Sequence, residues 1–162
     1  MNRIALITIF ASLAVTGFSQ ADVMHFKTNI GSFRMKKGSG RVELKFNGSV
    51  LVSTTEAKVT VAGNVRKEYD AHSRICYSGE GTLVVEGKFR AIQWFGRKLE
   101  GIWKGSGEIH FFGDFDSKGD TGEYWYGDSG QHLPWGLSGF HTLPEDKPVM
   151  PKPVERGKSG GG

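Results

Sequence analysis

Residues 38–48 read Gly-Ser-Gly-Arg-Val-Glu-Leu-Lys-Phe-Asn-Gly. After the second glycine, the apolar residues Val42, Leu44 and Phe46 alternate with charged or polar residues. Because successive side chains of a β-strand point to opposite faces of the sheet, this alternation predicts a strand with one buried face and one solvent-facing face. The stretch is therefore typical of an amphipathic strand bounded by glycines.

The same start signal, a Gly-x-Gly triplet followed by alternating apolar residues, occurs three times in the chain. The triplets begin at Gly38, Gly79 and Gly105. The apolar residues that follow them are Val42, Leu44 and Phe46, then Leu83, Val85 and Phe89, then Ile109, Phe111 and Phe115. The three copies are unevenly spaced, so they indicate related hairpin arms rather than the regular ladder of a solenoid.

Seven further segments carry strand patterns, and none shows a sustained helical period. They are Met24–Met35, Val50–Ser53, Ala57–Ala62, Arg74–Tyr77, Ile92–Phe95, Leu99–Lys104 and Gly122–Tyr126. Asn47-Gly48 is a favoured hairpin dipeptide, unless the strand continues through it as a bulge. The apolar phase switches near Ala91–Phe95, where a bulge or bend is expected to move Trp94 to the opposite face.

Length and composition favour one small all-β domain, which we place at residues 22–143. The chain has 162 residues, of which 24 are glycine and 11 phenylalanine, so it contains both many turn signals and enough apolar material for a core. Short strands separated by turn signals predict a single antiparallel β-sandwich or a barrel-like meander with glycine-rich turns. The sequence does not distinguish these two architectures.

The two ends of the chain carry different patterns. Residues 1–21 combine Arg3, an apolar run from Ile4 to Phe18 and a small-residue exit at Ser19-Gln20-Ala21. This arrangement predicts a signal peptide cleaved after Ala21, with an apolar run too short for a spanning helix. The expected mature protein is secreted or periplasmic, with no membrane span. Residues 144–162 are rich in Pro and Gly and predict a flexible, disordered tail.

Charge and cysteine content limit the classes of partner. The formal net charge is +4, and the basic residues are interspersed with acidic ones along the sequence. Nucleic-acid readers cluster their cations on one face, so no nucleic-acid partner is expected, although a mild preference for anionic envelope polymers stays open. The single cysteine, Cys76, is expected to be a buried thiol at a strand end.

An acidic stretch is the candidate metal site. Asp114, Asp116, Asp120 and Glu123 could supply the oxygen ligands that calcium prefers. The helix-loop-helix calcium pattern fails, because Lys118 and Trp125 occupy positions that require oxygen ligands. The alternative is a solvated hairpin loop, and no other cofactor is expected.

The aromatic residues that follow form the candidate ligand site. Tyr124, Tyr126 and Trp135, beside polar side chains, could stack on the apolar faces of sugars. In the competing interpretation, Trp125 fills the core while the two tyrosines cover a sheet edge. The five histidines lack metal-ligand spacing, and no Ser-His-Asp arrangement can be argued from the sequence.

These patterns predict a non-enzymatic β domain with a structural or binding role at the bacterial cell envelope. Its expected partner is an envelope polysaccharide or an envelope protein. The alternative function is a carbohydrate-binding module that uses exposed Tyr and Trp side chains, with or without calcium. A small hydrolase ranks third, because Asp114 and Asp116 share a strand face but nothing marks either as a general acid.

Overall fold

The computed structural model describes residues 22–69, 74–113, 122–135 and 140–144. These residues form five strands joined into one antiparallel sheet with the order β4-β3-β1-β2-β5. The strands are β1 (Val23–Tyr69), β2 (Ile75–Gly113), β3 (Glu123–Tyr126), β4 (Leu133–Pro134) and β5 (Phe140–Leu143). No α-helix occurs in these ranges, which confirms the all-β prediction. The predicted signal peptide and residues 145–162 of the predicted tail lie outside the described residues.

Within the described ranges, no helix is long and apolar enough to cross a membrane.

The two long strands pair with each other twice. In one register β1 runs against β2 from Val23 opposite Lys104 to Val52 opposite Ile75. In the other register Lys104 pairs with Arg41, eighteen positions further along β1. A strand can be flanked by the same partner on both edges only if the two-stranded ribbon winds back upon itself. The fold is therefore a coiled hairpin, and most of its predicted short strands are consecutive arms of β1 or β2.

Glycines meet glycines where the turns of the coil cross. One row comprises Gly113, Gly31, Gly96, Gly48 and Gly79, and a second comprises Gly105, Gly40 and Gly87. A Cβ atom on Gly40 would lie 2.0 Å from the carbonyl oxygen of Lys104, so this position accepts no side chain. The predicted glycine turns are therefore wrong at these positions: the strand continues through Asn47-Gly48, as the bulge alternative allowed.

Bulges correct the face that each arm presents to the core. Lys37 and Lys98 have positive φ angles of 49° and 52° and lie where the register between β1 and β2 shifts by one residue. A further shift near Arg90 returns Ile92 and Trp94 to the same interior as Phe89. The predicted phase switch is thus present, but its effect is the reverse of the expectation, because Trp94 is buried in the core.

The core lies inside the coil and takes its residues from every described strand except the short β4. Its largest fully buried side chains are Trp94, Trp103, Trp135, Phe26, Phe33, Phe46 and Phe111. The apolar residues singled out after each Gly-x-Gly triplet are buried there as predicted, except Phe115, which lies outside the described residues. Cys76 is only half-buried, and its Sγ atom lies 3.4 Å from the Ser78 hydroxyl, so the prediction of a buried thiol is wrong.

Candidate functional site

Trp135 is a core residue that fixes the segment before β3. Its ring is 1% exposed and stacks on Phe111 at 4.6 Å. Its indole nitrogen donates a hydrogen bond to the Glu123 carbonyl oxygen at 3.0 Å. A Cβ atom on Gly122 would lie 2.8 Å from the indole ring, and one on Gly31 would lie 3.1 Å from it. Trp135 is therefore wedged between two glycines and positions Glu123.

The two tyrosines also face inward. Tyr124 is 7% exposed and stacks on Phe111, while the hydroxyl of Tyr126 donates to the Thr142 carbonyl oxygen at 3.0 Å. Tyr124 and Trp135 therefore offer no ring face to solvent, and the expectation that they are exposed is wrong. The alternation of β3 was interpreted in the wrong phase, because the chain provides no signal for which side of this strand meets the coil.

Trp125 occupies the outer face of β3 instead of the core. Its ring lies between the imidazoles of His25, at 5.2 Å and 4° between planes, and His132, at 4.1 Å and 8°. The Lys27 ammonium lies 5.8 Å from the centre of the same ring. This stack extends directly to the carboxylate of Glu123, which contacts both Lys27 and His132.

Glu123 is held as an anion by its neighbours. Its carboxylate lies 2.7 Å from the Lys27 ammonium and 3.2 Å from Nδ1 of His132. The hydrogen bond from Lys27 lowers the pKa of Glu123, with a further lowering contribution from His132, and the same pairing raises the pKa of Lys27. A carboxylate with a lowered pKa suits binding or ion pairing, whereas a general acid needs a raised pKa.

Of the four predicted calcium ligands, Glu123 is the one that belongs to the described residues. Asp114, Asp116 and Asp120 lie outside the described residues, and Glu123 is engaged by a cation. Across the part of the chain that the structure describes, no three His, Cys, Asp or Glu side chains are grouped as metal ligands. Calcium binding by this loop remains a prediction.

A cleft of about 970 Å³ opens beside Glu123. Its lining includes a transverse row in which cross-strand neighbours alternate in charge, in the order Glu123, Lys27, Glu100, Lys45 and Thr82. Four inter-strand spacings of ~4.8 Å give this row a length of about 19 Å. The cleft consequently takes the form of an elongated groove across the sheet rather than a closed cavity.

A second set of polar side chains lies beside this row. It includes Asn29, Asn47, Glu80 and Lys98. The Asn47 amide donates to the Glu80 carboxylate at 3.5 Å, at the long end of the hydrogen-bond range. With three lysines facing three glutamates, the cleft presents many donors and acceptors but little net charge among its described residues.

Sequence reasoning identified Glu123 but missed the residues around it. Lys27 and Lys45 lie in different arms of β1 and Glu100 lies in β2, so the three become neighbours only through the double pairing of β1 and β2. The alternation within each segment predicted that these side chains point to solvent. Their alignment in one row could not be predicted, because it depends on the register between the strands.

Comparison with protein-family models, with curated proteins and with solved structures finds no match to this chain.

Proposed function

We propose that this chain is a secreted or periplasmic, non-enzymatic β domain that binds a neutral glycan of the cell envelope along the cleft beside Glu123. The observation that carries the proposal is the charge-alternating row that lines a cleft of about 970 Å³. Each lysine of the row has a glutamate as its cross-strand neighbour, so the charges compensate one another. What the row offers to a ligand is a series of alternating donors and acceptors, which suits hydroxyl groups.

Trp125 and its two imidazole partners form a packed border at the end of the row. The Trp125 ring is held upright between two parallel imidazoles at the end of the row, where Lys27 and His132 both contact Glu123. Because the two imidazoles cover the faces of the Trp125 ring, the polar groups of the row are what a glycan would contact. The carbohydrate-binding alternative is thereby moved from Tyr124, Tyr126 and Trp135 to a neighbouring, outward-facing set of residues.

The state of Glu123 does not suit the general acid of a glycoside hydrolase. Glycoside hydrolysis uses one carboxyl group that stays protonated until it donates its proton to the leaving group. Lys27 and His132 stabilise the ionised form of Glu123 instead. The localisation follows from the signal-peptide pattern of residues 1–21.

We interpret the coiled ribbon as a two-layered sandwich rather than a barrel-like meander. Gly31, Gly40 and Gly48, which belong alternately to the two glycine rows, are nine and eight residues apart. A sheet that folds over along two lines yields two facing layers, whereas a barrel spreads its curvature around the circumference. In this arrangement the glycan cleft lies across the outer side of one layer.

Retention of the purified chain on insoluble neutral polysaccharides tests the proposal. The double variant Lys45→Ala/Glu100→Ala removes one compensated pair from the row and should lose at least about tenfold in affinity. The matched control is Arg66→Ala/Glu68→Ala, which removes an exposed ion pair outside the cleft and should bind normally. The wild-type chain failing to bind any neutral polysaccharide would contradict the glycan assignment. Release of reducing ends during incubation would contradict the non-enzymatic assignment.

A further inference from the structure

A second groove, of about 490 Å³, gathers cations that are scattered in the sequence. Its lining includes Arg34, Lys36, Lys37, Arg74 and Arg90, and none of its described lining residues is acidic. Along the sequence the basic residues are interspersed with acidic ones, so no cationic patch was predicted. The coil overturns this expectation locally, because it brings residues from both long strands onto one outward face.

The register shapes this groove. Lys36 pairs with Ala91, which pairs in turn with Ser53, and Arg34 is connected in the same way through Gln93 to Leu51. The arm of β2 with Ala91 and Gln93 and the arm of β1 with Leu51 and Ser53 therefore carry uncharged side chains. These two arms form the floor of the groove, and Ala91 and Ser53 are small. Arg34 and Lys36 form a wall along one side, with their Cα atoms ~7 Å apart along the strand.

The groove also contains an unfavourable arrangement of like charges. Lys36 is opposite Ala91 and Gly38 is opposite Phe89, so Lys37 lies across from Arg90 on the neighbouring strand. Like charges that face each other across two strands destabilise a sheet. In addition, the backbone of Lys37 adopts a φ of 49°, a conformation that residues other than Gly, Asn and Asp rarely take.

Four of the cations in the groove have no acidic partner among the described residues. Among the described residues, no carboxylate lies within ion-pair distance of Arg34, Lys36, Lys37 or Arg90, whereas Arg41 contacts both Glu43 and Glu86. Glu108, the other cross-strand neighbour of Lys36, lies on the side away from the groove. The Lys36 ammonium instead lies 5.8 Å from the ring of Phe140, which is 63% exposed. The surface formed by Arg34, Lys36, Lys37 and Arg90 is consequently cationic, with no ion pair to a described carboxylate.

We propose that this groove binds a phosphate-bearing glycan, at a site separate from the neutral cleft. Arginine binds phosphate in a bidentate manner, and a wall of charges repeated at ~7 Å suits a linear polymer that carries an anion on successive units. The choice of a glycan over a nucleic acid rests on the proposed function, since the signal-peptide pattern of residues 1–21 predicts export to the cell envelope.

Binding of fluorescently labelled phosphodextran tests this site, with unmodified dextran and a single-stranded DNA of equal charge as parallel ligands. Arg34→Gln/Arg90→Gln should weaken phosphodextran binding at least about tenfold. The matched control Lys58→Gln/Lys104→Gln removes the same charge from two exposed residues outside the groove and should change the affinity less than about twofold. Thermal unfolding of each variant establishes that it is folded.

Three outcomes would overturn the proposal. The first is absence of phosphodextran binding, and the second is equal loss in both double variants, which would indicate attraction by net charge alone. The third is tighter binding of the DNA than of phosphodextran, which would replace the glycan with a nucleic acid. Lys45→Ala/Glu100→Ala should leave phosphodextran binding intact, so failure of the neutral cleft and failure of the cationic groove are distinguishable.

Discussion

Replacement of Gly40 by alanine should destabilise the fold more than any exposed substitution. Gly40 pairs with Gly87 on one edge and with Gly105 on the other, so both of its neighbours in the row are also glycines. Its φ of 106° is one that residues with a side chain rarely adopt. An added Cβ atom would lie 2.0 Å from the Lys104 carbonyl oxygen and 2.8 Å from the Gly105 Cα atom.

The magnitude follows from these two effects. A side chain held in such a backbone conformation costs about 1–3 kcal/mol, and overpacking in a filled interior costs about 1–3 kcal/mol more. Both contacts are with backbone atoms, so relief requires the two turns of the coil to separate. We expect a loss of about 3–5 kcal/mol in the free energy of unfolding, which corresponds to about 10–20 °C in melting temperature for a domain of this size.

Chemical denaturation and differential scanning calorimetry of the purified variant measure this loss. Ala57→Gly is the matched control, since Ala57 continues the same row opposite Gly87 but has a β2 partner on only one edge. The control should lose no more than about 1 kcal/mol, which is the cost of glycine in a strand interior. If Gly40→Ala unfolds at the wild-type denaturant concentration, close approach along the glycine rows is not what closes the coil.

Three further predictions concern the core and its border with the cleft. Gly101→Ala should cost about 2–3 kcal/mol because its Cβ atom would lie 2.1 Å from the Phe26 ring, and adding Phe26→Leu should recover about 1 kcal/mol of the expected sum in a double-mutant denaturation cycle. Burial lowers the pKa of His141 below 6.5, so the imidazole takes up a proton more readily in the unfolded chain than in the folded one. The free energy of unfolding should therefore fall as the pH drops from 6.5 through the pKa of the folded state. Denaturation of His141→Phe over the same pH range should show a smaller fall. Trp135→Phe removes the hydrogen bond to the Glu123 carbonyl, so it should lower the free energy of unfolding by about 2 kcal/mol and weaken retention on glycans. If the folded variant is retained on glycans as strongly as the wild type, Trp135 does not position the cleft.

The strand pattern was predictable because alternation is a local property of the chain. Val42, Leu44, Phe46, Leu83 and Val85 are buried as their period-two spacing requires. The number of strands was not predictable in the same way. Glycine ends a strand in most contexts, whereas here the glycines allow two neighbouring backbones to approach closely, and the same residue type serves both purposes.

The candidate sites depended still more on long-range pairing. The face of β3 that meets the core is set by its contact with β1, so Trp125 and Tyr124 exchanged their expected positions. Likewise Arg34 and Arg90 are far apart in sequence and become neighbours through a register that no local pattern encodes. Sequence spacing therefore identified residue types suited to binding without identifying which of them share a surface.

By itself, the sequence determined that this chain forms amphipathic β-strands around an aromatic core, since hydrophobic periodicity and glycine content act within a few residues. The tertiary structure alone decided that two long strands coil around each other, that glycines pair in rows, and that one face becomes neutral while another becomes cationic. These properties follow from register, and a shift of register by one residue moves every side chain to the other face. The double pairing of β1 with β2 thus creates two surfaces that the local sequence pattern does not specify.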